Sequence, residues 1–337
     1  MQLFLGFLLV LLAALLQGTF VFPMAMVKEW SWEHTWATFS VLGMFFLNWI
    51  IVLLLVPNIF LVYVSSPAHD LAVLALFGMG WGVGAVLFGL GMEKLGMALG
   101  YPIIMGLIAG LGAMIPLLVF SPPIPFAPKA LVLLGTALVI FGIVVCSIGG
   151  SLKTLSGDKD SEIDSSSFKS GLVIAILAGM FSCLPNVGVA YAGNIISTAA
   201  KLGISSSSSA NTVWALLFAF GCIVNLTYCL YLMISRKTLG RYFRGATPRN
   251  LGLTALMAAM WIGSFYFYGA GAARLGRLGI VVGWPLFISL SIAVGNVWGL
   301  WRGEWKGSSR KARRFLNQGL AILMLAIVTL AVSNSFQ

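Results

Sequence analysis

Ten apolar stretches of about 20 residues punctuate the chain, at 3–25, 36–56, 71–92, 96–119, 129–149, 170–192, 211–233, 251–269, 278–300 and 316–333. At about 1.5 Å of rise per residue, each is long enough to cross a hydrocarbon layer roughly 30 Å thick. Nearly all the charged residues fall between them. In lipid every backbone polar group must be satisfied within the segment, so such runs can only be helices. The pattern therefore predicts an all-α polytopic membrane protein with ten transmembrane helices. One detail stands out. In the third run, FGMGWGVG (Phe77–Gly84) puts Trp81 about ten residues from either end, near the bilayer midplane. Membrane tryptophans are enriched instead at the interfaces, where the ring N–H stays wet.

Composition agrees with the pattern. The 337 residues are 60% hydrophobic and 9% charged, where a soluble domain carries about 25% charged residues. The net charge of +11 and the RKARR run (Arg310–Arg314) could point to nucleic acid. The positions of the 20 Lys and Arg say otherwise. Sixteen lie in odd-numbered loops: Lys28, Lys94, Lys153, Lys159, Lys169, five from Arg236 to Arg249 and six from Arg302 to Arg314. Only Lys129, Lys201, Arg274 and Arg277 lie in even-numbered ones. By the positive-inside rule this split predicts cytoplasmic odd loops and both termini outside, with no role for nucleic acid. The first run has no basic segment before it and reads as an uncleaved span. Cys146, Cys183, Cys222 and Cys229 all fall inside predicted helices without a C-x-x-C pair, which favours packing over metal or disulfide chemistry.

The polar segment SGDKDSEIDSSSFKS (Ser156–Ser170) holds four of the nine acids and leaves five runs on each side. An N-terminal five-helix repeat over 1–155, a linker over 156–170 and a C-terminal repeat over 171–337 follow. With an odd number of spans per half, the repeats would be inverted in the membrane. An alignment at an offset of 180 residues supports this: GWGVGAVLFGLGMEKLG (Gly80–Gly96) lies over MWIGSFYFYGAGAARLG (Met260–Gly276), matching Trp81 with Trp261, Gly89 with Gly269 and Gly91 with Gly271. After a three-residue insertion, Tyr101-Pro102 matches Trp284-Pro285. An inverted repeat is a transporter signature, with the site near the midplane at the repeat interface. Trp81 and Trp261 are the matched pair at that depth. Packing between helices, with the ring N–H bonded to a carbonyl, is the alternative for each.

VKEWSWEHTW (Val27–Trp36), LLLVPNIFLVYVSS (Leu53–Ser66), LFGMGWGVGAVLFGLGMEKLGMALG (Leu76–Gly100) and KSGLVIAILAGMFS (Lys169–Ser182) together resemble the L-rhamnose–proton symporters of the drug/metabolite transporter superfamily. Weaker likeness returns at YGAGAARLG (Tyr268–Gly276) and GLWRGEWK (Gly299–Lys306). The resemblance implies a ten-helix permease of the bacterial inner membrane that imports a small neutral sugar with a proton.

A deoxysugar needs flat aromatics for its apolar face and uncharged amides or hydroxyls for its rim. The candidate substrate-binding residues are Trp81, Trp261, Gln17, Asn186, Tyr101, Trp284, Ser264 and Tyr268. For each polar group a plain interhelical hydrogen bond is the competing role. No acid lies deep in a span, so proton coupling falls to carboxylates at a cavity edge, Glu93 or Glu33. For Glu93 the competing role is an interfacial pair with Lys94. His34 reads as interfacial, and Trp30, Trp32 and Trp36 as an interfacial aromatic belt. Sodium coupling stays open, as do export of another metabolite and a sensor or scaffold role. No metal, cofactor or enzyme motif is found.

Overall fold

The computed structural model describes residues 2–120, 125–154, 165–276, 279–301, 303 and 305–334, and no strand occurs among them. Ten helices are long and apolar enough to cross a membrane. They are α1 (Gln2–Met26), α2 (Trp32–Leu55), α3 (Ala68–Leu95), α4 (Ile103–Phe120), α5 (Phe126–Leu152), α6 (Lys169–Tyr191), α7 (Ser206–Ser235), α8 (Thr247–Arg274), α9 (Gly279–Trp301) and α10 (Arg310–Ser333). Every apolar run has its helix. Several begin earlier than the run, α10 by six residues, because the backbone hydrogen-bond ladder continues through flanking Arg and Lys that are good helix formers. The linker expected over 156–170 lies outside the described residues up to 164. From Ser165 the chain is already helical.

Helical backbone is unbroken from Ala68 to Ile115, yet the chain turns back within it. A Cβ on Gly100 would stand 3.1 Å from the Gly91 carbonyl oxygen. Nine residues of straight helix would separate those positions by about 13 Å. The reversal makes α3 and α4 two spans.

The chain forms two compact units, and each takes helices from both sides of the linker. The first comprises residues up to Val83 and Gly188–Arg274, with α1, α2, the first half of α3, α7 and α8. The second comprises Gly84–Val187 and the residues from Leu275 onward, with the rest of α3, α4, α5, most of α6, α9 and α10.

In lipid there is no hydrophobic gain in bringing two apolar helices together, so contact depends on close approach of small residues. In the first unit α1 exposes Phe4, Leu8, Leu12 and Leu15 and buries Gly6, Val10, Ala13 and Ala14. The small face meets α8, where a Cβ on Gly271 would lie 2.9 Å from Val10 and 3.0 Å from the Gly6 carbonyl. On α2, Gly43 sits against Ala258 of α8, and on α3, Gly78 meets the backbone of Leu217 in α7. Residues 40–47 of α2 are π-helical, a local widening of the helix that recurs at functional sites.

The second unit carries a regular seam between antiparallel α5 and α10. Gly135 packs on Leu330, Gly142 on Leu323 and Gly149 on Leu316, a seven-residue step on both helices. Gly135 and Gly142 each accept a leucine side chain as a knob, as in a coiled-coil seam, and Gly149 meets the backbone itself. Elsewhere in this unit Gly84 of α3 meets Ser182 of α6, and Gly91 meets Ala175.

The seam yields a test. A Cβ on Gly149 would lie 2.9 Å from the Ala312 carbonyl oxygen and the Leu316 nitrogen, both backbone, whereas one on neighbouring Gly150 meets nothing within 4 Å. Overpacking against backbone costs about 1–3 kcal/mol. Gly149→Ala is therefore expected to lower the thermal unfolding midpoint in detergent, and Gly150→Ala to leave it unchanged or slightly raise it.

Candidate functional site

The midplane tryptophan owes its position to two glycines and a third opposite them. Gly78 and Gly82 bring α3 against α7, and Gly221 of α7 lies beneath the Trp81 ring, where a Cβ would stand 2.7 Å from it. Trp81 then stacks on Trp261 of α8, with centroids 5.6 Å apart and planes inclined by 21°. Phe218 meets Trp81 edge-on at 5.1 Å and Trp261 at 4.8 Å. Phe39 and Phe265 close around Trp261 at 5.3 and 5.0 Å. Trp261 is buried, while Trp81 keeps part of its surface exposed.

One turn along α8, Ser264 Oγ lies 2.6 Å from the Trp261 carbonyl and 2.8 Å from the side-chain amide of Gln17 on α1. The structure thus brings together four of the expected residues: Trp81, Trp261, Ser264 and Gln17. Tyr268, a turn further, is fully buried and tilts against Trp214 with centroids 6.3 Å apart.

The other expected residues belong to the second unit. Asn186 is fully buried and donates to the carbonyls of Gly112 in α4 (2.7 Å) and Ile280 in α9 (3.2 Å). Trp284 is buried and donates its indole N–H to the Ile108 carbonyl, 2.9 Å away. A Cβ on Gly112 would collide with that indole. Tyr101 is half-buried, with its ring 6.5 Å from Phe88. Glu93 is exposed near the end of α3.

Glu33 differs sharply from Glu93. It is 1% exposed, in the first turn of α2, and accepts from Thr238 Oγ1 and from Arg236, each at 3.4 Å. Arg236 itself is 58% exposed, so the pair joins a buried carboxylate to solvent. His34 is fully buried, near the start of α2. Its Nε2 donates to the Thr238 carbonyl at 2.8 Å, and Tyr242 donates to its backbone carbonyl at 3.0 Å. Burial raises the Tyr242 phenol above its ordinary pKa, so it stays a protonated donor at neutral pH.

Of the three tryptophans expected as an aromatic belt, Trp32 is 38% exposed, Trp30 is buried against Tyr242, and Trp36 donates to Asn225 Oδ1 at 2.9 Å.

Three groups went unnoticed in the sequence. Trp214 and Phe218 stack at 5.4 Å beside the tryptophan pair. Thr238 and Tyr242 close the Glu33–His34 cluster from the segment after α7. Asn225 lies in the middle of α7, fully buried. A lone Asn deep in an apolar run was the available signal for the last. The aromatic stacks left none, since Trp and Phe there read simply as apolar.

Asn48 ties the site to its frame. Its Nδ2 donates to the Met44 carbonyl (3.0 Å) and across to the Trp214 carbonyl (2.9 Å), while Tyr266 donates to its Oδ1 at 2.9 Å.

Ten apolar helices, with hydrogen-bonded polar and aromatic side chains buried between them, define a multi-pass membrane protein. The family model for the L-rhamnose-proton symport protein matches residues 1–334. The L-rhamnose-proton symporter of Cronobacter sakazakii is 31% identical over 330 residues, covering 95% of each chain. That of Yersinia pestis is 30% identical over 331 residues, covering 96% of this chain and 95% of the relative. That of Escherichia coli is 30% identical over 335 residues, covering 96% of each. The chain belongs to the L-rhamnose-proton symport protein family, a family of transporters and not of enzymes.

The Asn48 node is open to test. Asn48→Leu removes the side-chain bonds to the Met44 and Trp214 carbonyls and to the Tyr266 hydroxyl, which keeps the backbone carbonyl of residue 48 at 3.0 Å, and each lost bond is worth roughly 0.5–1.5 kcal/mol. Tyr266→Phe removes one donor and leaves only acceptor lone pairs behind. The first is expected to lower the unfolding midpoint in detergent clearly more than the second.

Proposed function

We propose that the protein imports L-rhamnose across the bacterial inner membrane together with a proton, by alternating access. The observation that carries this reading is the full-length match to relatives named L-rhamnose-proton symporter. The reading puts the sugar's apolar face on the Trp81–Trp261 stack and its hydroxyls within reach of Gln17 and Ser264. Flat aromatics beside uncharged polar groups suit a neutral deoxysugar. Asn186, Tyr101, Trp284 and Tyr268 remain further candidates; Asn186 and Trp284 bond to carbonyls and Tyr268 is wholly buried. Proton coupling belongs to the Glu33 end of α2, where the buried carboxylate is, rather than to exposed Glu93.

The proposal includes two inverted five-helix repeats in a fold of the drug/metabolite transporter kind. Three pairs of contacts support it. Gly78 on Leu217 corresponds to Ala258 on Gly43, Gly84 on Ser182 to Ser264 on Gln17, and Gly91 on Ala175 to Gly271 on Val10. In each pair the α3 and α8 residues differ by 180 positions, the same offset that aligns Trp81 with Trp261. Cytoplasmic odd loops and outside termini follow from the basic residues.

The test is uptake of labelled L-rhamnose into proteoliposomes with and without an inward proton gradient. Accumulation above equilibrium only with the gradient is expected, and no uptake by folded protein would remove rhamnose as substrate. An aromatic face is worth about 1 kcal/mol. Trp81→Ala is therefore expected to raise KM for L-rhamnose by roughly fivefold, with thermal stability tracked alongside.

A further inference from the structure

The cluster at the start of α2 holds two buried polar atoms without a hydrogen-bond partner among the described residues: Nδ1 of His34 and Nε1 of Trp30. Burial is complete for His34 and 92% for Trp30, which is 8% exposed. Their rings are 6.5 Å apart between centroids, and both pack on Tyr242, at 4.9 and 5.0 Å. A carbonyl can only accept, so the bond from Nε2 to Thr238 puts the ring hydrogen on Nε2. Nδ1 then presents a bare lone pair, and the Trp30 N–H is a donor. The ligand that suits a buried donor and a buried acceptor on rings 6.5 Å apart between centroids is water, or the proton that water carries.

We propose that His34 is the residue that binds and releases the symported proton, at Nδ1, with Trp30 Nε1–H holding the water that exchanges it. The proposal rests on the proton-symport reading above. The step is a plain transfer: the Nδ1 lone pair takes H⁺ from hydronium or water, giving an imidazolium, and later returns it to water.

The groups around the ring fit this role. Glu33, the preceding residue, places a buried carboxyl group in the same cluster. Tyr242 faces the ring edge-on from the 239–243 turn. Arg236 lies on Glu33, Arg241 on Ser31, and Cys229 of α7 is buried nearby in the same packing group as Ala37 and Tyr242. Glu29 reaches the Ala246 N–H at 3.4 Å. Arg236 is bonded to Glu33 and largely in solvent.

His34 also has a physical line to the sugar-facing aromatics. Phe39, five residues on, meets Trp261 edge-on at 5.3 Å and Trp36 at 5.0 Å. The π-helical residues 40–47 follow directly, a stretch where a helix can change register at low cost. Charging His34 alters the first turns of α2, and the same turns touch Trp261.

The experiment begins with the His34→Gln variant in proteoliposomes. Gln retains an amide donor for the Thr238 carbonyl but cannot take a proton. Gradient-driven accumulation of L-rhamnose is expected to fall to the equilibrium level, while counterflow exchange of labelled sugar at equal pH persists. Full accumulation by the variant would overturn the proposal. Failure of the unsubstituted protein to accumulate sugar would instead overturn the symport reading itself. A second measurement does not depend on how the variant folds. The chain has two histidines, and His69 is exposed at the start of α3. In His69→Gln protein with isotope-labelled histidine, the one imidazole signal reports Nδ1 of His34. A symported sugar and proton must change each other's affinity, so saturating L-rhamnose is expected to change the protonation of that ring at fixed pH. A ring whose protonation is identical with and without the sugar overturns the proposal.

Discussion

Close approach of small residues is the constraint from which the rest of this structure follows. Lipid is as apolar as the side chains it bathes, so helices cohere through contact and through polar bonds rather than through exclusion of water. The glycine seam of α5 on α10, the small face of α1 on α8, and Gly78 against Leu217 are three forms of one solution. The same closeness makes room for function. Trp81 can lie flat at the midplane because Gly221 offers no side chain beneath it. Its stack with Trp261 is therefore a product of backbone proximity, not of aromatic attraction alone.

Polar groups enter this packing sparingly, and they concentrate along α2. Glu33 and His34 open the helix, buried among Thr238, Tyr242 and Trp30. Asn48 sits beyond the π-helical segment and bonds α2 to α7 and α8 at once. Between them Phe39 touches the tryptophan pair. The helix is thus tied at both ends, widened in its middle and pressed against the stacked tryptophans. Interfaces of packed side chains shift between discrete arrangements rather than deforming smoothly. In the second unit Asn186 has a different task. Its bonds to Gly112 and Ile280 fasten α6 to α4 and α9.

The ten spans were fully legible in the sequence, because a run of about 20 apolar residues in lipid has one way to satisfy its backbone. The 180-residue alignment paired Trp81 with Trp261, which stack on each other, and the partnership of Gln17 with Ser264 was half-legible, as two polar residues in spans that must find partners. The burial of His34 was not legible, because Thr238 and Tyr242, which bond to it, lie more than 200 positions away.

By itself, then, the sequence determined the class of protein, the number of membrane helices and the residue types available for chemistry. Local composition decides those quantities through backbone hydrogen bonding and transfer to lipid, and neither needs to know what lies opposite. Only the tertiary structure decided which of the buried groups are satisfied and which are left open. The Trp36 N–H finds Asn225 and the Trp284 N–H finds Ile108, whereas Trp30 Nε1 and His34 Nδ1 find no partner among the described residues. A hydrogen bond is a fact about two places in the chain, and the second place is set by how the helices pack.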